Sequence, residues 1–117
     1  MDMKYVQTTC PYCGTGCTFN LVVKDGKAVG TAPYQRSPVN EGKVCPKGTY
    51  AHEFVHAPDR LTKPLIKKDG KFVEATWDEA YDLIAKTFTQ YKPDECACLS
   101  SARVSNDENY AMLKFAR

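Results

Sequence analysis

The sequence predicts a mixed α+β or α/β protein, in which a small lobe rich in β-hairpins is followed by the start of a larger α/β body. Two kinds of local pattern support this fold class. Asp25-Gly26 and Asp69-Gly70 each separate two extended runs, and Asp-Gly between such runs is a strong signal for a β-hairpin. Thr76 and Ser105 are each followed three residues later by a glutamate, which predicts a capping box at the start of a helix.

The first lobe is predicted to comprise residues 1–57, and it holds most of the extended segments. We expect a strand over residues 4–9, a hairpin formed by residues 18–24 and 27–34, and a returning loop over residues 35–43. A short helix over residues 49–57 should then end before Pro58, because proline cannot continue a helix. This lobe is therefore expected to consist mainly of antiparallel β-structure.

Residues 58–117 are predicted to begin a second domain. A hairpin formed by residues 64–68 and 71–75 should lead into the helix that opens at Thr76. Apolar side chains recur along that helix at helical spacing, so one of its faces should be buried. A short strand over residues 95–99 should follow. One strand between two helices cannot bury both faces, so we expect the sequence to be a fragment of a larger α/β domain.

A polar loop over residues 100–104 precedes the helix that opens at Ser105. A strand, a polar loop and a helix N-terminus can together bind phosphate, because unpaired amide groups and the positive end of the helix dipole face the ligand. A nucleotide-like cofactor is one interpretation of this loop. A purely structural turn is the other.

The cysteines form the most informative pattern in the sequence. Cys10, Cys13 and Cys17 lie within eight residues, and Cys45 follows after a gap of 27 residues. The first three are too close together to form disulfides without strain, so metal ligation is the better interpretation. Structural zinc sites usually combine two separated pairs of ligands, whereas three close thiolates, a remote fourth and a proline directly after it resemble iron–sulfur ligation. We predict a [4Fe-4S] cluster, with zinc and unligated thiols as the alternatives.

Composition and charge argue against several functional classes. The chain is 43% apolar and 26% charged, which is ordinary for a globular protein. No apolar run approaches the ~20 residues of a membrane span, so we do not expect an integral membrane protein. No basic tract with interleaved aromatic residues is present, which gives nucleic-acid binding little support. We see no export signal at the N-terminus and expect a cytoplasmic protein.

Two other groups of residues have an alternative chemical interpretation. His52-Glu53-Phe54-Val55-His56 matches the His-Glu-x-x-His pattern of zinc proteases, but the candidate helix is short and no third histidine follows. Cys96 and Cys98 lie two residues apart in the predicted strand and so point to the same face. We expect these two cysteines to be small buried apolar residues rather than ligands.

Cys10-Pro11-Tyr12-Cys13-Gly14-Thr15-Gly16-Cys17, together with Cys45-Pro46-Lys47-Gly48, resembles the N-terminal iron–sulfur domain of the molybdopterin oxidoreductase family. The resemblance extends over nearly the whole chain and includes the segment from Ser100 to Tyr110. It implies a small [4Fe-4S] lobe followed by the start of an α/β molybdopterin-binding domain. Within the family, the sequence is similar to catalytic (alpha) subunits of formate dehydrogenases of the methanogen type.

This resemblance implies roles for individual residues. The ligands of the cluster would be Cys10, Cys13, Cys17 and Cys45. Lys47 would lie between the cluster and a pterin and assist electron passage. The loop that carries Arg103, Asn106 and Asn109 would approach one of two molybdopterin guanine dinucleotides, which together bind molybdenum or tungsten. The family's metal-ligating selenocysteine or cysteine lies beyond residue 117, so the resemblance implies no catalytic residue within this sequence.

The resemblance also implies a substrate and a partner. Formate would be oxidised to CO2, and the electrons would leave through the cluster to an electron-accepting partner subunit that reduces deazaflavin or carries iron–sulfur or flavin groups. Val104 stands where many formate dehydrogenases have cysteine, so a relative such as an assimilatory nitrate reductase is an alternative. A free-standing ferredoxin-like electron carrier and a zinc-stapled interaction module are the alternatives outside this class.

Overall fold

The computed structural model describes residues 2–117, which divide into two compact units. The first unit contains the residues up to Arg60 together with Leu99–Arg117, and the second is Leu61–Cys98. Helices and two antiparallel sheets make up the described chain, which confirms the predicted α+β character. The C-terminal segment thus groups with the cysteine-rich residues. The division into domains at residues 57 and 58 stays a prediction.

The first unit is built on a three-stranded antiparallel sheet. Its strands are β1 (Met3–Thr9), β2 (Thr18–Lys24) and β3 (Lys27–Pro33), in the order β1-β2-β3. Asp25 and Gly26 join β2 to β3 with φ angles of 48° and 80°, the left-handed conformation that tight hairpin turns require. The predicted hairpin is therefore confirmed, and the loop between β1 and β2 contains the first three cysteines.

The core of this unit is small and includes a cysteine. Cys10, Phe19 and Ala51 are the buried hydrophobic residues of the described chain, and Phe19 is only 1% exposed. Partly buried side chains pack against these three, namely Tyr12, Cys17, Leu21, Val44 and Phe54. Because one of the clustered cysteines lies in this core and a second packs against it, the packing of the sheet and the shape of the cysteine loop depend on each other.

The predicted helix over residues 49–57 is wrong in position and in length. Instead, α1 spans Pro46–Thr49 and a separate 3-10 turn spans Phe54–His56. Helix α1 begins earlier because Pro46 occupies its first turn, where the fixed φ of proline suits a helix start. The chain then turns, and Ala51 packs with Cys10 and Phe19 instead of continuing a helix.

The second unit consists of a hairpin and a helix. Strands β4 (Leu65–Lys68) and β5 (Lys71–Glu74) pair antiparallel, as predicted from the Asp-Gly turn between them. Helix α2 (Trp77–Phe88) opens with the predicted capping box, since Glu79 N–H donates to Thr76 Oγ1 at 3.2 Å and Glu79 Oε2 accepts from Thr76 N–H at 2.8 Å. Both predictions for this segment are confirmed.

The prediction that one face of α2 is buried is wrong for this chain. Trp77 is 62% exposed, Tyr81 58% and Ile84 49%. The spacing of the apolar residues is helical, but the second unit supplies only the β4–β5 hairpin besides the helix. That hairpin offers too little surface to cover the apolar stripe of a 12-residue helix.

The predicted strand over residues 95–99 is also wrong. A 3-10 turn spans Pro93–Glu95, and the residues that follow it have no regular structure. A strand needs a neighbour to pair its backbone groups, and the described residues provide none at this place. Cys96 and Cys98 are consequently exposed, which corrects the expectation that they are buried.

Helix α3 (Asn106–Ala116) closes the described chain. Its predicted capping box is confirmed, because Glu108 N–H donates to Ser105 Oγ at 3.3 Å and Glu108 Oε2 accepts from Ser105 N–H at 2.7 Å. Among residues 2–117, no helix is both long enough and apolar enough to cross a bilayer.

Candidate metal centre

Backbone hydrogen bonds bring the first and third cysteines together. Cys10 N–H donates to the Cys17 carbonyl at 2.8 Å, and Gly16 N–H donates to the Cys13 carbonyl at 3.4 Å. Gly16 has a φ of 71°, which a residue with a side chain adopts only at a cost. The loop therefore closes on itself, and three thiols are held around one short stretch of backbone.

The fourth cysteine reaches this loop through α1. Cys45 is the N-cap of that helix, and its carbonyl accepts from Thr49 N–H at 3.1 Å and from Thr49 Oγ1 at 3.2 Å. Gly48 is buried, and a Cβ at this position would overlap Val44 Cγ1 and lie 3.3 Å from Cys10 Sγ. The absence of a side chain at Gly48 thus lets α1 pack directly against Cys10.

Asn40 ties the returning loop to the start of β2, next to Cys17. Its Oδ1 accepts from Thr18 N–H at 2.9 Å, and its Nδ2 donates to the Thr18 carbonyl at 3.1 Å and to the Lys43 carbonyl at 2.8 Å. These bonds fix the path of the chain just before Cys45. Sequence reasoning placed this residue in a loop but missed its role, since only its turn-forming residue type pointed to it.

The pKa of the Cys17 thiol depends on the other three cysteines of the pattern. Burial raises the pKa of the Cys17 thiol, and negative charge on Cys10, Cys13 and Cys45 raises that pKa further. Negative charges on these thiols repel each other, so a cationic metal centre bound by them would relieve the repulsion. The donor set therefore fits a bound metal cluster.

The surroundings of Cys13 lower the pKa of its thiol, whereas those of Cys17 raise the pKa of that thiol. Hydrogen bonds with the side chain and backbone of Thr15 lower the pKa of the Cys13 thiol, and the positive charges of Arg103 and Lys47 lower it further. Lys47 belongs to α1, whereas Arg103 lies in the polar loop before α3. Two cations from separate segments are thus close enough to stabilise negative charge at the same sulfur.

The four cysteines of the pattern are free thiols. Cys13 Sγ donates to Thr15 Oγ1 at 3.4 Å, and no disulfide links any of the cysteines in the described part of the chain. Over residues 2–117, no three His, Cys, Asp or Glu side chains are grouped as ligands of one ion. The backbone thus gathers Cys10, Cys13, Cys17 and Cys45, while their role as ligands stays a prediction.

The polar loop before α3 contacts the cysteine loop. Gly14 N–H donates to the Ala102 carbonyl at 3.4 Å, and Asn106 Nδ2 donates to the Gly14 carbonyl at 2.9 Å. Asn109 Nδ2 donates to the Ser101 carbonyl at 3.1 Å. Both asparagines thus form hydrogen bonds within the chain, and their predicted contact with a cofactor stays a prediction. The strand expected before this loop is absent, so the phosphate-binding arrangement lacks one of its parts.

The His-Glu-x-x-His segment lacks the geometry of a zinc protease. The pattern requires two histidines one turn apart on an α-helix, but the chain turns after Thr49 and forms a 3-10 turn over Phe54–His56. His56 Nε2 accepts a hydrogen bond from Ala28 N–H at 3.0 Å, which occupies one of its two ring nitrogens. This histidine therefore links the 3-10 turn to β3.

Two family models match the chain in succession. The molybdopterin oxidoreductase Fe4S4 domain matches residues 3–57, and the molybdopterin oxidoreductase model matches residues 60–117. Together with the gathered cysteines, these matches show that the chain belongs to the molybdopterin oxidoreductase family. A [4Fe-4S] cluster and a molybdopterin are the cofactors of this class, as predicted from the cysteine spacing and from the resemblance.

Curated relatives narrow the class further. The chain is 66% identical over 116 residues to the F420-dependent formate dehydrogenase 2 subunit alpha of Methanococcus maripaludis, covering 99% of this chain and 17% of that protein. It is 55% identical to the F420-dependent formate dehydrogenase subunit alpha of Methanocaldococcus jannaschii, covering 100% of this chain and 17% of that protein. A putative formate dehydrogenase of Staphylococcus aureus is 40% identical, covering 98% of this chain and 12% of that protein. The chain therefore spans about a sixth of the length of its methanogen relatives.

Proposed function

We propose that this chain is the N-terminal electron-transfer part of a formate dehydrogenase catalytic subunit. The observation that carries the proposal is that the loop of Cys10, Cys13 and Cys17 packs against the helix that Cys45 caps, in a chain 66% identical to a formate dehydrogenase alpha subunit. The proposed ligands are Cys10, Cys13, Cys17 and Cys45. When bound by them, a [4Fe-4S] cluster would accept and release single electrons. Burial of Cys10 would keep water away from one side of that site.

Lys47 is the residue that we propose to assist electron passage. It lies in α1 two residues after Cys45, its side chain is exposed, and its charge acts on Cys13. A positive charge in this place would stabilise an extra negative charge at the ligand set. The loop that carries Arg103, Asn106 and Asn109 is proposed to approach one of the two pterins.

The activity of the whole protein is proposed from its relatives. Formate would be oxidised to CO2 at molybdenum or tungsten held by two molybdopterin guanine dinucleotides, in residues beyond this chain. The partner would be an electron-accepting subunit that reduces a deazaflavin coenzyme, as the names of the methanogen relatives indicate for those proteins. The cytoplasmic location expected from the sequence stays a prediction.

The substrate is tested with the full-length subunit and its partner. We expect formate to reduce a deazaflavin coenzyme, and we expect no oxidation of reduced viologen by nitrate. Nitrate-dependent oxidation without formate activity would support the nitrate reductase alternative. A purified full-length protein that contains iron and sulfide but no pterin would instead support the ferredoxin-like carrier.

Replacement of Lys47 by alanine should slow formate-dependent acceptor reduction in the complete enzyme while iron content is retained. A single charge at short range can change a barrier by about 1.4 kcal/mol, so the expected loss is about tenfold. Lys43→Ala is the matched control, because Lys43 is also exposed and lies two residues before Cys45 instead of two residues after it. An unchanged rate in Lys47→Ala, or an equal loss in both variants, would contradict the proposed role.

A further inference from the structure

We propose that Arg103 is a second positive charge at the cysteine site, that it raises the reduction potential of the cluster, and that Asn106 is the positioning residue that holds it there. The inference rests on the proposed function in one respect, namely that Cys13 is a ligand of the cluster. It concerns residues at the opposite end of the chain, which the cysteine pattern does not include.

The first observation is a pair of hydrogen bonds at Gly14, the residue directly after Cys13. The Gly14 amide donates to the Ala102 carbonyl at 3.4 Å, and its carbonyl accepts from Asn106 Nδ2 at 2.9 Å. The two partners lie on either side of Arg103 in the sequence. One backbone group of Gly14 is therefore bonded to the polar loop and the other to the first residue of α3, which places Arg103, between the two partners, beside the cysteine loop.

The second observation is the internal bonding of the polar loop. Arg103 N–H donates to Ser101 Oγ at 3.0 Å, and Asn109 Nδ2 donates to the Ser101 carbonyl at 3.1 Å. Asn109 Oδ1 accepts a further hydrogen bond from Ser100 Oγ. The loop is thus anchored both to the first turn of α3 and to the cysteine loop, so the backbone of Arg103 is held from two directions.

The third observation is the close approach of the cysteine loop, at Gly14, to the start of α3, at Asn106. A Cβ added at Gly14 would lie 2.7 Å from Asn106 Oδ1, which is closer than such atoms can pack. The contact joins residues that are 92 positions apart in the sequence. A glycine at this position thus permits a specific contact between the two loops.

The positive charge of Arg103 is what would affect the reduction potential of the cluster. Arginine stays protonated at every physiological pH, and over residues 2–117 neither Arg103 nor Lys47 forms a salt bridge with a carboxylate. Arg103 directly follows Ala102, which is bonded to Gly14, and Lys47 directly precedes Gly48, which packs against Cys10, so the two charges belong to different segments beside the cysteine loop. Cations near an anionic cluster favour its reduced form, because the reduced form carries one more negative charge. Removal of either cation should therefore lower the reduction potential.

The test is a redox titration of the full-length subunit, followed through the paramagnetic signal of the reduced cluster that disappears in Cys45→Ser. We expect Arg103→Gln to lower the midpoint potential with iron content retained. Arg103→Lys keeps the positive charge and should therefore have a potential close to that of the wild type. Lys114→Gln removes the same charge near the end of α3, eleven residues from Arg103, and should leave the potential unchanged.

Asn106→Ala tests the positioning role. It should lower the potential in the same direction as Arg103→Gln, and the double variant should show no larger shift than Arg103→Gln alone, since both changes remove the same charge from the same place. An unchanged midpoint potential in Arg103→Gln, or an equal shift in Lys114→Gln, would overturn this inference but leave the proposed function standing. A wild-type subunit without the cluster signal would overturn the proposed function together with it.

Discussion

Removal of iron from the full-length subunit is expected to unfold the three-stranded sheet of the first unit. The buried core of the described chain contains one large side chain, Phe19. Its burial contributes about 1.5–3 kcal/mol, which offsets the ordering of only one to three residues at about 1–2 kcal/mol each. Metal–thiolate binding at small sites can add on the order of 10 kcal/mol, and this binding energy is folding energy.

Hydrogen exchange measured by mass spectrometry checks this expectation. After treatment with an iron chelator, amides of β1, β2 and β3 should lose protection by several orders of magnitude. Amides of α2, which lies in the other compact unit, serve as the internal control and should change much less. Full protection of the three strands in iron-free protein would show that the sheet does not depend on the metal.

Replacement of Cys45 by serine is expected to remove the cluster or to convert it to a form with fewer irons. Serine is a poor ligand for iron in such sites, and Cys45 is the ligand that α1 brings to the loop of Cys10, Cys13 and Cys17. Iron and sulfide content, together with the broad absorbance near ~400 nm, measure the loss.

Cys96→Ser is the matched control for this substitution. Cys96 is exposed and free, and it lies in the other unit. Its replacement should leave iron, sulfide and absorbance at the wild-type values. Equal loss of iron from both variants would show that the ligand assignment is wrong.

The features predicted correctly from the sequence are those that depend on neighbouring residues. Asp25-Gly26 adopts the left-handed turn because two adjacent residues suffice to specify it. The capping boxes at Thr76 and Ser105 are likewise closed between residues three positions apart. Local geometry determines these elements, so a single sequence reveals them.

The features predicted wrongly depend on partners elsewhere in the fold. Residues 95–99 do not form a strand because no neighbouring strand pairs with them in the described chain. The apolar face of α2 is exposed for the related reason that its own unit is too small to cover it. Helical spacing predicts which side chains share a face, but it does not show what covers that face.

At the candidate site, too, local features were predicted from the sequence and long-range contacts were not. The spacing of Cys10, Cys13 and Cys17 pointed to metal ligation, because three thiols within one short loop must lie close together in space. The contact of Asn106 with Gly14 could not be predicted, since it joins segments 92 residues apart and neither residue type indicates a partner. The packing of Gly48 against Cys10 Sγ was missed for the same reason.

The central claim is that Cys10, Cys13, Cys17 and Cys45 together hold one [4Fe-4S] cluster. The most direct measurement is an anomalous difference map from crystals of the full-length subunit, recorded at the iron and zinc absorption edges. We predict one compact group of four iron sites, each within bonding distance, about 2.3 Å, of one of the four cysteine sulfur atoms, and no rise in anomalous signal across the zinc edge. A zinc peak at this place, or iron bonded to other residues while these thiols remain free, would contradict the account.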